Sequence, residues 1–170
     1  VAIMEMSAAS GLAQVSDQPL EPERASTFGT GEMMCDAMQR GARQIIIGIG
    51  GSATNDGGRG MAEALGYRFV EQGIERPDAV FCEVLVACDV DNPLLGEKGA
   101  TRVYGAQKGV RDFERFEARM QTLADQVARD LGVDHRAVPG AGAAGGLGFG
   151  LMSFCNAKLV NGFDLVAQVT

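Results

Sequence analysis

"IIIGIGGSATNDGGRG", Ile45 to Gly60, is the stretch on which the fold turns. Three consecutive isoleucines bounded by Gly48 predict a strand over Gln44 to Ile49 that is buried on both faces. Six glycines fall between Gly48 and Gly60, with Ser52, Thr54, Asn55 and Asp56 set among them. Asp56 to Leu65 then carries Met61, Ala62 and Leu65 at helical spacing, and Gly66 closes the run. The order is strand, glycine loop, helix. Such a loop lets successive backbone N–H groups converge beside the positive end of a helix, a place suited to a carboxylate or a phosphate. Ser52, Thr54 and Asn55 add neutral hydrogen-bonding groups. Asp56 adds the one charge that could take a hydroxyl proton or hold Mg²⁺. The same residues equally allow a tight turn in which Asn55 or Asp56 only caps the helix. The pattern GxxxxGK[ST] occurs nowhere in the chain, so any nucleotide is held without a Walker A loop.

Outward from this unit, strands and helices alternate. Val1 to Ala8 reads as a strand ending at Ser10-Gly11, followed by a polar loop with two prolines in "SDQPLEPERAS". Gly31 to Arg40 places Met33, Met34, Ala37 and Met38 on one helical face as core filling, with Thr30 as N-cap and Gly41 as stop. Val80 to Val90 predicts a second buried strand. Val110 to Leu131 is the best amphipathic helix, with Val110, Phe113, Phe116, Met120, Leu123, Val127 and Leu131 three or four apart and Gly132 at its end. After "PGAGAAGGLGFGLMSFCNAKL", glycine-rich and then helical, "FDLVAQV" reads as a closing strand. The pattern implies an α/β class, a layered sheet with flanking helices, with residues 1–170 forming one domain.

Composition narrows the function. The chain has 170 residues and a net charge of −7, with no basic run, which argues against nucleic acid as a partner. An anionic ligand would have to be drawn in by local donors, because the overall field repels it. Cys35, Cys82, Cys88 and Cys155 lack CxxC spacing, and the one histidine, His135, lies in a polar stretch, so the plain reading is reduced thiols in a cytoplasmic protein without zinc. No apolar stretch is long enough for a membrane span, and the N-terminus has no signal-peptide pattern.

A second polar cluster, "ACDVDNPLLGEKGATRVYGAQKG", stands at the end of the Val80–Val90 strand. Asp89 and Asp91, two apart in an extended segment, would share a side and could present two carboxylates to one metal or substrate, or else serve a capped turn closed by Asn92-Pro93. Lys108 is a surface cation by default and a phosphate or carboxylate contact otherwise. "GAGAAG", Gly140 to Gly145, matches G-x-G-x-x-G literally, but no convincing strand precedes it, so close helix packing is favoured over a dinucleotide site.

Taken in order, "EMSAASGL", "TFGTGEM", "IIIGIGGSATNDGG", "VACDVDNPLLGEKGATRVYGAQKG" and "PGAGAAGGLGFGLMSF" resemble the bacterial glycerate kinase family of the first type, over nearly the whole chain. The resemblance implies ATP- and Mg²⁺-dependent phosphorylation of D-glycerate to 2-phosphoglycerate in a two-lobed enzyme. This chain looks like the inserted middle domain, without the flanking doubly wound lobe, and so is expected to be inactive alone. Carried over by position, Gly50, Gly51, Ser52, Thr54, Asn55, Asn92 and Lys108 bind substrate or phosphate, Asp56 and Asp91 are catalytic, and Asp89 and Asp91 hold the metal. Arg59, Tyr104 and Ala106 depart from the family's usual residues, and the connection from Tyr67 to Val80 is short for the family. The alternative reading is a non-catalytic module that binds a small acid or self-associates as a homodimer.

Overall fold

The protein is described by a computed structural model covering residues 1–79 and 81–169. Strand β2 (Gln44–Gly48) is the middle of the sheet, with Ile45 and Ile47 fully buried and Ile46 nearly so. Burial on both faces is what a parallel strand covered by helices requires. On one side β2 pairs in parallel with β1 (Ala2–Glu5), Ala2 facing Ile45 and Glu5 facing Gly48. On the other it pairs in parallel with β5 (Glu83–Ala87), Gln44 facing Glu83 and Gly48 facing Ala87. The sheet ends at β6 (Lys158–Val160), also parallel, giving the order β1-β2-β5-β6.

Parallel neighbours need crossover connections. Between β1 and β2 these are α1 (Ser7–Ser10) and α2 (Phe28–Gln39). Between β2 and β5 lie α3 (Arg59–Ala64) and an antiparallel hairpin of β3 (Arg68–Val70) and β4 (Gly73–Glu75). From β5 to β6 the chain runs through α4 (Ala100–Tyr104), α5 (Phe113–Leu131) and α6 (Ala143–Cys155), and α7 (Gly162–Val169) follows β6. Because the four strands run the same way, the segments after β1, β2 and β5 emerge at one edge, where open α/β sheets bind ligands.

Local chemistry sets the element boundaries. Helix α5 starts where the Asp112 carboxylate accepts from the Arg115 N–H, three residues inside the expected Val110 start, and stops at left-handed Gly132. Its buried stripe is Phe116, Met120, Leu123, Ala124, Val127 and Leu131. Helix α2 begins at Phe28 rather than Gly31, and of its methionines Met34 is the fully buried one.

Three expectations are corrected. The first strand stops at Glu5, and Ser7–Ser10 is a helical turn. The hairpin of β3 and β4 occupies what reads as bare connection. "FDLVAQV" belongs to α7, the sheet position having been taken just before it by "KLV" of β6. A short apolar run does not separate helix from strand by periodicity, and here pairing with β5 decides. Of the expected Val80–Val90 strand, Glu83–Ala87 forms and Val80 lies outside the described residues.

The "GAGAAG" segment packs backbone on backbone. Ala144, Gly145 and Gly146 are left-handed in succession, and regular helix resumes after them. The Gly57 N–H donates to the Gly145 carbonyl at 3.0 Å. A Cβ on Gly145 would sit inside the Thr54 carbonyl oxygen, at a φ of 66° that side chains rarely adopt. Gly145→Ala is therefore expected to cost about 3 kcal/mol or more in urea unfolding, combining left-handed strain with overpacking. Gly132→Ala, left-handed but with open space around it, should cost only about 1–2 kcal/mol.

Candidate functional site

At the C-terminal edge of the sheet lies a cavity of about 450 Å³. The glycine loop supplies Gly50, Gly51 and Ser52, the segment after β5 supplies Cys88 and Asp89, and Tyr104, Gln107 and Lys108 close the far side. Among the described residues the N–H groups of Gly50, Gly51 and Ser52 donate to no protein acceptor. The Gly51 carbonyl is taken by the Leu12 N–H, and the Ala53 N–H is spent on the Ser10 carbonyl. The loop is thus tied down at both flanks and leaves three N–H groups beside the cavity without a protein acceptor, and convergent amides of this kind suit anionic oxygen.

Lys108 is 3% exposed, contrary to its default reading as a surface cation. The chain buries it through the single turn Ala106–Lys108, closed by left-handed Gly109. Its Nζ donates to the Thr54 carbonyl at 2.6 Å and to Ser52 Oγ at 3.4 Å. Ser52 Oγ in turn accepts from the Thr54 N–H at 3.1 Å and lies 2.9 Å from Thr54 Oγ1. The ammonium therefore clamps the turn that carries the free amides. Desolvation pushes its pKa down to about 8, opposed by the charge of Asp56. Thr54 stands behind the cavity wall, fully buried, as part of this clamp.

Asp56 does not border this cavity, which corrects the expectation that it would. One of its oxygens, Oδ2, accepts from the Thr27 N–H at 2.9 Å, the Thr27 hydroxyl at 2.9 Å and the Gly60 N–H at 3.2 Å. The other, Oδ1, accepts from the Gly58 N–H at 3.0 Å. Thr27 Oγ1 also accepts from the Met61 N–H. The carboxylate thereby joins the start of α2 to the start of α3 and holds the far end of the glycine loop. Asn55 lies on the same far side, its Nδ2 donating to Thr101 Oγ1 at 2.9 Å.

The second cluster is divided. Asp89 reaches the cavity while its Oδ1 accepts from the Gly162 N–H at 2.9 Å. Asp91 is exposed and outside the cavity lining, so the pair does not converge there. Asn92 is structural, donating to the Lys98 carbonyl and accepting from the Tyr104 hydroxyl at 2.8 Å. Among the described residues no three His, Cys, Asp or Glu side chains converge as a metal cage. Cys88 lies on the wall, but burial raises its thiol pKa and leaves it a poor nucleophile. Tyr104 and Gln107 were missed in the sequence, where only their nearness to Lys108 could have drawn notice.

An α/β protein with a glycine loop, its amides unpaired by protein, at the C-terminal edge of a parallel sheet is the class that this geometry defines. The sequence profile described as "Glycerate kinase family" matches residues 1–80 and 75–170, and the chain belongs to that family. It is 43% identical over 192 aligned positions to a glycerate kinase of Halalkalibacterium halodurans, covering all of this chain and 50% of that one. It is 40% identical to the glycerate 2-kinase of Escherichia coli, covering 97% of this chain and 49% of that protein. A crystal structure assigned to glycerate kinase 2 of Salmonella typhimurium LT2 superposes with a TM-score of 0.92 at 41% identity, covering 98% of this chain and 50% of that one. The chain spans about half the length of the curated relatives it matches. The 192 aligned positions against 170 residues mean that the first of these relatives carries extra residues inside the matched region. The two pieces of the family match meet at 75–80, next to β4. No helix of the described residues is long and apolar enough to cross a membrane.

Asp56→Ala removes the acceptor for four donors at two helix starts and is expected to lower stability by about 2–4 kcal/mol. The exposed Asp91→Ala should stay within about 0.5 kcal/mol. Thermal unfolding of the two variants side by side reads the difference.

Proposed function

We propose that this chain carries the glycine-loop half of a glycerate kinase site, in which phosphate passes from ATP to D-glycerate to give 2-phosphoglycerate. The observation that carries the reading is the row of free amides at Gly50, Gly51 and Ser52 beside the buried Lys108 ammonium. Phosphoryl transfer demands chiefly positioning and charge neutralisation, and both are what this wall supplies. The amides and the third Nζ hydrogen of Lys108 take phosphate or carboxylate oxygen. Asp89, the aspartate of the three that lines the cavity, takes the attacking hydroxyl's proton. Asp56 acts as a positioning residue for the loop, and Asn55, Thr54 and Asn92 support the same walls.

Mg²⁺ fits this site in one way. Bound mainly by nucleotide phosphates and water, it requires only one or two protein carboxylates, and Asp89 is placed to be one, with Asp91 just outside the lining. When bound it neutralises phosphate charge. The opposing wall would come from the half of the relatives that this chain does not match, so the chain alone is expected to lack turnover. Reduced thiols at all four cysteines accord with a cytoplasmic setting. A second reading, self-association as a homodimer, draws support from exposed Ile3 and Phe163, and light scattering on the purified chain tests it.

The kinase reading is tested by ATP-dependent D-glycerate phosphorylation, with the chain alone and joined to the missing half. Activity is expected only in the joined protein, and Lys108→Met should lower kcat/KM there by about two orders of magnitude, the loss of one preorganised charged donor. The protonated ammonium is the binding form, so kcat/KM should fall as pH rises through about 8. The Lys108→Met profile should be flat across that range. An unchanged rate and profile in the variant would remove Lys108 from the site.

A further inference from the structure

The parallel sheet is covered unequally on its two faces. Register pairing puts Ala2, Ile45 and Val84 on one face, joined two residues on by Met4, Ile47 and Val86. This face carries the main core, where Met34 of α2, Met61 of α3, Leu123 of α5 and Leu147 of α6 cluster with the strand residues. The other face presents Ile3, Ile46 and Leu85, then Glu5, Gly48 and Ala87. None of these belongs to the main core.

Helix α7 meets the second face. It contacts β5, and its Leu165 is buried apart from the main cluster, as Ile46 is. That cover is incomplete, because Ile3 stays 68% exposed and Phe163 of α7 is 81% exposed. Strands β1 and β5 are two strand spacings apart, about 10 Å, so the bare end of the sheet and the outer side of α7 form one surface. Strands of a parallel sheet are buried on both faces. The sequence of α7, "GFDLVAQV", has only Asp164 and Gln168 as polar residues, the composition of a helix with neighbours on more than one side. Apolar surface of this kind marks an interface.

Three observations say what covers it. The relatives are about twice as long as the matched region, so a stretch of comparable length accompanies this fold in them. The surface also runs into the glycine-loop cavity. Ala87 lines that cavity and shares the face of Ile3 and Ile46, and Asp89, on the same wall, accepts from the Gly162 N–H at the start of α7. A layer laid on α7 therefore stands at the cavity's rim. A second copy, by contrast, would bring together two chains of net charge −7.

Resting on the reading of this chain as half of a kinase, but not on the roles given to Lys108 and Asp89, we infer that the exposed face of β1 and the outer side of α7 are the docking surface for the half that this chain does not match. That half lays an apolar layer over Ile3 and Phe163. Docking there fixes the start of α7, and through the Gly162 N–H it fixes the Asp89 carboxylate at the cavity.

Hydroxyl-radical footprinting of the chain alone and of the protein joined to the missing half tests it. Phe163 and Ile3 should be labelled readily in the chain alone and lose most of that labelling on joining, approaching buried Phe149. Phe69 of the hairpin, packed against the main core, should keep its rate. Within the joined protein, Ile3→Thr/Phe163→Gln should lower the melting temperature by about 5 °C, the worth of two buried apolar side chains in a protein of that size. Exposed Arg40→Gln, beside the end of α2, should leave it in place. Equal labelling of Phe163 in both proteins, protection in the chain alone that grows with its concentration as a second copy would give, or an unshifted melting temperature in the double variant would overturn the inference. Protection of Phe163 in a joined protein without ATP-dependent turnover would uphold the docking surface and remove the kinase reading.

Discussion

The chain can bring its glycine loop against α6 only because neither backbone carries a side chain where they meet. The Gly57 N–H reaches the Gly145 carbonyl, and the space a Gly145 Cβ would need is filled by the Thr54 carbonyl oxygen. The loop therefore rests on main chain rather than on side chains that hop between rotamers. A floor of this kind keeps the loop's N–H groups in fixed positions, and hydrogen-bond donors are worth most when they require no reorganisation.

Two charges of opposite sign complete the restraint from opposite ends. Lys108 holds the Ser52–Thr54 turn by its carbonyl, and Asp56 holds the Asp56–Gly60 turn by its N–H groups. Each charge is spent on backbone of the matching polarity. What remains unspent, just ahead of both turns, is the row of amides at Gly50, Gly51 and Ser52. The loop also acts as a partition. Its first half faces a cavity with Lys108 and Asp89, and its second half faces a cleft with three arginines. One short segment thus divides two electrostatic environments.

Membership of the glycerate kinase family and a TM-score of 0.92 to a solved relative place the framework on firm ground over the whole chain. Beyond the framework, local departures carry the individuality of this protein. The family match breaks at 75–80, where a short hairpin leads directly toward β5. Nearby, Tyr67, Phe69, Phe81 and Phe154 form an aromatic cluster that packs the segment after α3 against the end of α6.

What the amino-acid sequence determined by itself is the layered α/β class, the buried strand through Ile45 to Ile47, the α5 stripe and the glycine loop, because each is written in local periodicity and in residues permitting unusual backbone. It also marked Asp89 and the loop residues as polar groups at strand ends, while Lys108 read by default as a surface cation. Only the tertiary structure decided that "KLV" rather than "FDLVAQV" joins the sheet, since strand identity there depends on a partner 73 residues away in sequence, as Leu85 faces Lys158. It alone separated Asp56 from Asp89, sending the first to Thr27 and the second to the cavity. Both aspartates follow apolar strands and look alike in sequence. Which partner a carboxylate meets is set by how helices pack in space, and no local pattern encodes that.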